Sequence, residues 1–253
     1  MIIIKSAKEI EKMRVSSRIA AEVMSALEAM IRPGVQTVEL DRAAARLIRK
    51  RGGLSAFKGY RGYPAHICVS VNEEVVHGIP GERVLRAGDI VSVDVGVEHD
   101  GYCGDMARTF MVGEVNGTKA RLVEVTRLAV EDAMGMARSD GRLFDISHAI
   151  EHRATSSGFS VVRDYVGHGI GSTLHEDPQI PNFGKPHTGP RLKPGMTFAV
   201  EAMINAGTYA VRVLPNGWTV ITQDRKASAH FEDTIVITGD GPEVLTCPKR
   251  KMP

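Results

Sequence analysis

Apolar residues recur every three or four positions in several stretches of the chain, the spacing that places them on one face of an α-helix. In the first stretch Ser6 and Glu9 have the spacing of a capping box, and apolar positions follow from Ile10 to Met30. The stretch ends at Arg32-Pro33-Gly34. The same criteria predict three further helices, at residues 37–51, 117–138 and 145–157.

Between the helices lie short runs rich in Val, Ile, Phe and Thr, which favour β-strands. Helical stretches precede the strand-like runs in both halves of the chain, and no low-complexity segment or evident linker divides it. A length of 253 residues allows one large domain or two small ones with a substantial core. The predicted strands cover residues 67–71, 89–97, 105–112, 159–166, 197–204, 218–222 and 230–238.

The two halves of the chain share a spaced pattern. Leu-x-x-Gly-x-x-x-x-Val followed by an acid runs from Leu85 to Asp94, and again from Leu192 to Glu201. Coincidence is an open alternative, because Gly and Leu are common residues. A true repeat predicts a single catalytic domain, 1–253, built from two similar α+β halves, roughly 1–115 and 116–253. The acids would then gather where the halves meet.

Composition says more about the cellular compartment of the protein than about its function. The formal net charge of +2 is too small to argue for nucleic acid, and the two short basic runs read as solvated surface. The apolar residues 1–4 are too few for a signal peptide or a membrane span. Three widely spaced cysteines without a Cys-x-x-Cys pair indicate free thiols in a reducing compartment, by default the cytoplasm: Cys68, Cys103 and Cys247.

Two aspartates flank a hairpin signal. Asp100-Gly101 is typical of a two-residue β-turn, and it separates the runs that carry Asp94 and Asp105. With that turn, Asp94 lies opposite Ala107 and diagonal to Asp105. Residues two apart on a strand share a face, so both carboxylates would point the same way and could chelate or bridge a metal ion. Two solvent-facing aspartates are the alternative.

Three further potential ligands lie in the second half. Glu201 stands in an apolar strand, where an unpaired carboxylate is costly. His168 lies between glycines and Glu232 precedes an apolar strand, so a turn histidine and an exposed strand end are their alternatives. Four carboxylates and an imidazole can gather only if cations neutralise them, and two metals sharing carboxylates can hydrolyse amide or phosphate esters. This thiolate-free set favours manganese, iron(II), cobalt or catalytic zinc.

Short motifs along nearly the whole chain resemble type I methionine aminopeptidases of the two-metal pita-bread family. Each motif alone is weak, whereas together they are highly specific. The resemblance implies an α+β pita-bread fold, with two pseudo-symmetric halves and antiparallel sheets around a central dinuclear site. The motifs are Gly59-Tyr60, Gly62-Tyr63-Pro64, Val69-Ser70-Val71-Asn72-Glu73, His77-Gly78-Ile79-Pro80, Val93-Asp94-Val95-Gly96, Gly104-Asp105, Gly167-His168-Gly169-Ile170-Gly171, His175-Glu176-x-Pro178, Glu201-Ala202-Met203 and Trp218-Thr219.

The resemblance also implies an activity. Two divalent ions (cobalt, manganese, iron or zinc) would activate a water or hydroxide, which attacks the first peptide carbonyl. The reaction would remove the initiator methionine from nascent proteins and peptides whose second residue is small. The implied metal ligands are Asp94, Asp105, His168, Glu201 and Glu232.

Three residues would take part directly in the reaction. By resemblance, Glu201 would serve as general base and then as general acid, and His175 would donate a hydrogen bond to the oxyanion. His77 would contact the peptide nitrogen after the scissile bond. Outside their motifs, both histidines would be taken as turn or surface residues. No role is assigned to His66, His99, His148, His152, His187 and His230, although His66 lies close to the proposed pocket.

A side-chain pocket for methionine is implied as well. Four residues match positions that line it in the family, where aromatic faces and a thiol suit a thioether: Tyr60, Tyr63, Cys68 and Trp218. Phe57 and Leu174 depart from many relatives, which leaves the shape of the pocket and its tolerance of inhibitors open. Asn72 and Ser228 match part of a monovalent-cation site of the family.

Two other functions share parts of this pattern. Xaa-Pro aminopeptidases and prolidases share the metal ligands but usually carry an additional N-terminal domain, which this sequence does not show. Other proteins of this fold have lost catalysis and bind nucleic acid or partner proteins, and these typically lack at least one ligand. We therefore expect a monomeric cytoplasmic enzyme that acts on nascent polypeptides and Met-initiated peptides, without a nucleic-acid or membrane function. Ribosome contact fits such an enzyme, but scattered basic residues do not establish it.

Overall fold

The computed structural model describes residues 1–246, within which two pairs of α-helices are each followed by a group of strands. The helices are α1 (Ala7–Glu28), α2 (Thr37–Lys50), α3 (Gly117–Gly135) and α4 (Leu143–Ser156), and a short 3-10 helix covers Tyr60–Gly62. The strands are β1 (Leu54–Ser55), β2 (Cys68–Val71), β3 (Glu74–Val76), β4 (Ile90–His99), β5 (Tyr102–Met111), β6 (Ser160–Val161), β7 (Gly167–Gly169), β8 (Glu176–Ile180), β9 (Thr197–Asn205), β10 (Val211–Val213), β11 (Val220–Thr222), β12 (Ser228–Thr238) and β13 (Gly241–Val244).

The predicted capping box starts α1. The Ser6 side chain accepts a hydrogen bond from the Glu9 N–H, and the Glu9 carboxylate accepts one from the Ser6 N–H at 2.7 Å. These two bonds satisfy N–H groups that have no partner within the helix. The helix ends at Glu28, a few residues before the predicted stop.

Ten strands form one sheet in which all the pairs are antiparallel. The main order is β1-β4-β5-β12-β9-β7-β8, with β2, β6 and β13 added to β4, β9 and β12. A second sheet has the order β10-β11-β3. This arrangement confirms the predicted α+β class with antiparallel sheets, whereas the division into two halves stays a prediction.

Each pair of helices covers one part of the large sheet with its own apolar core. Side chains of α1 and α2 pack against alternate residues of β4, such as Val93 and Val95. Side chains of α3 and α4 pack against β9 and β12, for example at Val200 and Phe231. Full burial of one such side chain contributes roughly 1.5–3 kcal/mol. The helices therefore cover one face of the sheet. The strand residues that alternate with the core residues point to its other face.

Close approach of α1 to the sheet requires a glycine. A Cβ on Gly104 of β5 would lie 2.5 Å from the Ser17 backbone nitrogen of α1, which is closer than any real contact. Gly104 immediately precedes Asp105, so this contact fixes the strand where a predicted ligand stands.

Two expectations from the sequence concern the cysteines and the absence of a membrane-spanning helix. Cys68 and Cys103 are buried free thiols, while Cys247 lies outside the described residues. Among residues 1–246, no helix combines the length and apolar character needed to cross a membrane.

Candidate active site

The β4–β5 hairpin forms with the predicted register. Asp100 and Gly101 have φ angles of 50° and 76°, and this positive pair is what a type I′ turn requires. Asp94 consequently pairs with Ala107, and Asp105 pairs with Gly96. The two aspartates lie diagonally across the ladder on one face, as expected.

The five predicted metal ligands come from five neighbouring strands of the sheet. Across the antiparallel ladders, Glu232 pairs with both Ala107 and Glu201, while His168 pairs with Ala199. Each ligand alternates with residues that face a helix, so all five point to the uncovered face. In sheet order they are Asp94 on β4, Asp105 on β5, Glu232 on β12, Glu201 on β9 and His168 on β7.

Donor atoms of these residues are close enough to share cations. One oxygen each of Asp105 and Glu232 and one ring nitrogen of His168 lie within 4.8 Å of one another. His168 Nδ1 donates to the Gly169 carbonyl at 2.9 Å, which leaves Nε2, 3.9 Å from Glu232 Oε1, as the unprotonated nitrogen. Such a bond from the other ring nitrogen is the usual support of a metal-binding histidine.

Burial and mutual repulsion make the carboxylates hard to ionise together. Burial, followed by the negative charge of neighbouring acids, raises the pKa of Asp94 and of Glu232 well above the ordinary value. Burial also raises the pKa of Asp105 to about 6, although His168 opposes the shift. A cation at this place would remove the repulsion and favour the charged forms.

Unpartnered oxygens test whether a metal fits this set of residues. One buried oxygen on each of Asp94, Asp105 and Glu232 has no hydrogen-bond partner among the described residues. A buried oxygen without a partner costs about 1–3 kcal/mol, and a bound cation would offset this cost for all three oxygens at once. Oxygen donors with one imidazole suit divalent ions such as manganese, iron(II), cobalt or catalytic zinc. The residues therefore fit divalent metal ions.

The acids form the floor of a cavity of about 180 Å³ whose walls include all four predicted pocket residues. Tyr63 and Trp218 meet edge to face with ring centroids 5.1 Å apart. The Tyr63 hydroxyl donates to the Gly78 carbonyl at 2.9 Å. This bond holds the ring on the side of the cavity that the buried Cys68 also lines. Aromatic faces beside a thiol give an apolar and polarisable wall.

Both predicted histidines line the same cavity. His175 stands at the exposed mouth, where Nδ1 is 2.9 Å from the Tyr60 hydroxyl and its ring is 4.2 Å from that of His168. Partial burial, reinforced by the nearby His168, lowers the pKa of His175 to about 4. Burial likewise lowers the pKa of His77, whose φ of 58° is unusual for a non-glycine residue. Both rings are therefore neutral near pH 7 and can each donate one hydrogen bond.

The two departures from the family pattern also reach the cavity. Phe57 and Leu174 are buried lining residues. A Cβ on Gly96 would lie 2.4 Å from the Phe57 ring, so this ring packs directly on β4 two residues beyond Asp94. The effect of Phe57 and Leu174 on the shape of the pocket stays a prediction.

A lysine already stands beside the predicted monovalent-cation residues. Lys119 Nζ donates to Asn72 Oδ1 at 2.7 Å and to the Gly88 carbonyl at 2.6 Å. The Ser228 N–H donates to the Asn72 carbonyl at 2.8 Å. A positive charge is therefore present here without an added ion, and the monovalent cation stays a prediction.

One histidine that was given no role lies in the cavity. His230 is buried, with Nε2 2.9 Å from Glu201 Oε2. Its position two residues before Glu232 on β12 is the signal that could have identified it, because such residues share a face of a strand. His66 instead pairs with Asp41, Nδ1 to Oδ2 at 3.2 Å, and does not line the cavity.

Comparison with known proteins agrees with this site. A model of metallopeptidase family M24 matches residues 11–239. The methionine aminopeptidase of Clostridium acetobutylicum is 50% identical over 247 residues, which are 97% of this chain and 99% of the relative. The crystal structure of the Thermotoga maritima methionine aminopeptidase is similar with a TM-score of 0.96 and 47% identity, covering 97% of this chain and 99% of that one.

A more distant structural similarity extends to a longer protein. The Xaa-Pro dipeptidase of Bacillus anthracis has a TM-score of 0.76 and 25% identity, and it covers 99% of this chain but 63% of its own. The Clostridium and Thermotoga proteins thus match along almost their full length, whereas the dipeptidase contains additional chain. The sequence match, the near-complete coverage and the shared pita-bread fold agree that the chain belongs to metallopeptidase family M24.

Proposed function

We propose that the protein is a metal-dependent methionyl aminopeptidase, which removes the initiator methionine when the second residue is small. The observation that carries this proposal is the convergence of five predicted ligands from five strands on the floor of an aromatic cavity. The relatives named methionine aminopeptidase, at about half identity over nearly the whole chain, support the same substrate.

In this proposal the five ligands bind two divalent ions. Asp94 lies at one end of the row on β4 and His168 at the other on β7, with Asp105, Glu232 and Glu201 between them. The three central carboxylates would hold the ions together with Asp94 and His168. Bound ions would polarise the scissile carbonyl and lower the pKa of water.

Glu201 would move the protons of the reaction. Burial alone raises its pKa, but the hydrogen bond from His230 and the surrounding imidazoles outweigh burial and lower the pKa below its ordinary value. The carboxylate is thus ionised and able to take a proton from water. It would then deliver that proton to the departing amine.

Neutral histidines would hold the peptide at the cavity mouth. His175 would donate a hydrogen bond to the oxygen that becomes negative during attack, where a prepositioned donor has its largest effect. His77 would contact the peptide nitrogen after the scissile bond. The lowered pKa values of both rings keep them uncharged beside the metals, which limits repulsion.

Tyr60, Tyr63, Cys68 and Trp218 would receive the methionine side chain. Their cavity is small and its floor carries the ligands, so the side chain of the first residue would fill it. A bulky second residue would then crowd the metal site. Substrates would be nascent polypeptides and Met-initiated peptides, handled by a monomer in the cytoplasm, and contact with the ribosome would be optional for catalysis.

Turnover measured across a metal titration tests the proposal. Release of methionine from a Met-Ala-Ser peptide should begin with added manganese or cobalt and stop with a chelator. A Met-Phe-Ser peptide should react much more slowly. An Xaa-Pro dipeptide tests the alternative that the Bacillus anthracis dipeptidase represents, and faster cleavage of it than of Met-Ala-Ser would overturn the methionine assignment.

A further inference from the structure

His230 is a buried imidazole in the cavity to which the proposed reaction assigns no step. Its side chain is 3% exposed and it stands on β12, two residues before Glu232. On the neighbouring strand β9 its partner is Met203, two residues after Glu201. The ring therefore lies on the same face of the sheet as both glutamates.

The contacts of the ring are directed at Glu201. Nε2 lies 2.9 Å from Glu201 Oε2 and 4.0 Å from Glu232 Oε2. The first distance is that of a hydrogen bond, whereas the second is too long for one. Because an ionised carboxylate only accepts, the proton of this bond lies on Nε2.

The backbone of His230 is anchored independently of the ring. Its N–H donates to Thr109 Oγ1 at 2.9 Å, and Thr109 Oγ1 donates to its carbonyl at 2.8 Å. The same hydroxyl is 2.8 Å from Ser92 Oγ, so side chains of β4 and β5 fix this point of β12. These bonds fix the backbone from which the ring reaches Glu201.

We propose that His230 is a positioning residue, which donates from Nε2 to Glu201 Oε2 and so fixes the carboxylate that binds metal and moves protons. The bond engages Oε2 and leaves Oε1 of Glu201 for a cation. Partners of this kind that orient a metal-binding carboxylate typically change metal affinity or activity by about 10–100-fold when removed. This inference rests on the proposed function of the site.

Two variants separate the hydrogen bond from the imidazole. His230→Gln retains an N–H donor of similar reach, whereas His230→Leu fills the space without a donor. We expect the Leu variant to bind manganese about 10–100-fold more weakly in calorimetric titrations, and to lose kcat with KM changed less than about threefold. The Gln variant should stay within about threefold of the unsubstituted protein in all three quantities. Normal metal affinity and kcat in the Leu variant would overturn the proposal.

A measurement on the unsubstituted protein covers the case in which the Leu variant does not fold. Long-range 1H–15N spectra of the zinc-loaded protein report which ring nitrogen carries the proton, and the His230→Gln spectrum identifies the resonances. The proposal expects a proton on Nε2. A deprotonated Nε2, or a Gln variant as damaged as the Leu variant, would instead make the imidazole a direct ligand. Neither the binding titration nor the spectrum requires methionine release, so failure of the proposed activity remains distinguishable.

Discussion

At the scale of residues, the chemistry of this site depends on which face of a strand a side chain occupies. Asp94 lies between Val93 and Val95, both of which are buried under the helices, and Glu201 lies between Val200 and Ala202 in the same way. A carboxylate in such a strand does not disturb the core, because successive residues face opposite sides. Apolar runs with a single acid can therefore be both stable strands and ligand supports.

Glu201→Gln should abolish most of the turnover while retaining the fold. An amide cannot accept the proton from water, and loss of general base catalysis alone typically costs about 10²–10⁴-fold in rate. The measurement is kcat on a Met-Ala-Ser peptide at saturating metal, with circular dichroism to compare the folds. Glu114→Gln, at an exposed position, is the matched control and should keep normal kcat. A kcat of Glu201→Gln close to that of the control would contradict the assigned role.

The ligand residues could be proposed from the sequence because their motifs combine unusual neighbours with specific chemistry. An acid in an apolar strand, such as Glu201, is costly unless it is paired or binds a metal. The Asp100-Gly101 turn between two aspartates predicts a hairpin. Both features can be recognised in a single sequence. His230 was not identified, because a histidine in a strand is most often ordinary and its two-residue spacing to Glu232 was the only local signal. Its relevance depends on the ladder that brings Glu201 beside β12, and that pairing is a long-range contact.

At the scale of elements, regular periodicity predicted the long helices and strands, and short irregular strands were missed. Residues 159–166 were predicted as one strand, but only Ser160–Val161 and then Gly167–Gly169 pair in the sheet. The β8 strand, Glu176–Ile180, was not predicted because two acids and a proline disfavour strands. It forms because it pairs with β7, a tertiary contact that outweighs its weak propensity.

Lys5 forms a buried ion pair with Glu176 at the start of β8, with side chains only 3% and 6% exposed. We expect Lys5→Met to lower the free energy of unfolding by about 3–5 kcal/mol, because it leaves a buried carboxylate without its partner. Denaturant unfolding of the metal-free protein measures this change. The double variant Lys5→Met, Glu176→Gln should recover part of the loss. Equal stability of the two variants would show that the charge of Glu176 is not the cause.

The capping box of α1 should make stability depend on acid pH. Hydrogen bonds from the Ser6 backbone and hydroxyl, followed by one from Tyr102, lower the pKa of Glu9 from 4.5 to about 2. A lowered pKa means that the folded state favours the charged form, so its contribution is complete above about pH 4.5 and disappears as pH falls towards 2. Because Glu9 is largely in contact with solvent, the contribution is at most about 1 kcal/mol.

Unfolding experiments on Glu9→Gln test this dependence. The variant should be less stable than the unsubstituted protein near pH 7, and the difference should shrink as pH falls from about 4.5. Glu11→Gln, at an exposed position of the same helix, is the control and should show little difference at either pH. A difference for Glu9→Gln that is independent of pH would exclude the proposed cause.

At the scale of the molecule, the proposed metal ions would join strands that are far apart in sequence. Asp94 and Asp105 belong to the hairpin of β4 and β5, whereas His168, Glu201 and Glu232 follow after α3 and α4. Ions that bind these residues only in the folded state stabilise it by mass action, about 2.7 kcal/mol at a concentration 100 times Kd. Removing metal should therefore affect the stability of the whole fold and not only the activity.

We expect added manganese to raise the melting temperature of chelator-treated protein by several degrees. Asp105→Asn, which removes one central charge, should reduce this response strongly, while its metal-free form should be at least as stable as the unsubstituted protein because a buried charge is removed and the repulsion from Glu201 is relieved. Differential scanning calorimetry measures both effects. An equal response to manganese in the variant would show that the ions bind elsewhere.

The pairing of β5 with β12 runs through the middle of the large sheet, where Glu232 and Asp233 face Ala107 and Met106. Opening the molecule along this line would break main-chain hydrogen bonds and separate Asp105 from Glu232. Admission of a peptide must therefore proceed without a hinge between the hairpin strands and the rest of the sheet. Selection of the peptide would then depend on the side chains that line the cavity, which can be exchanged without breaking this ladder.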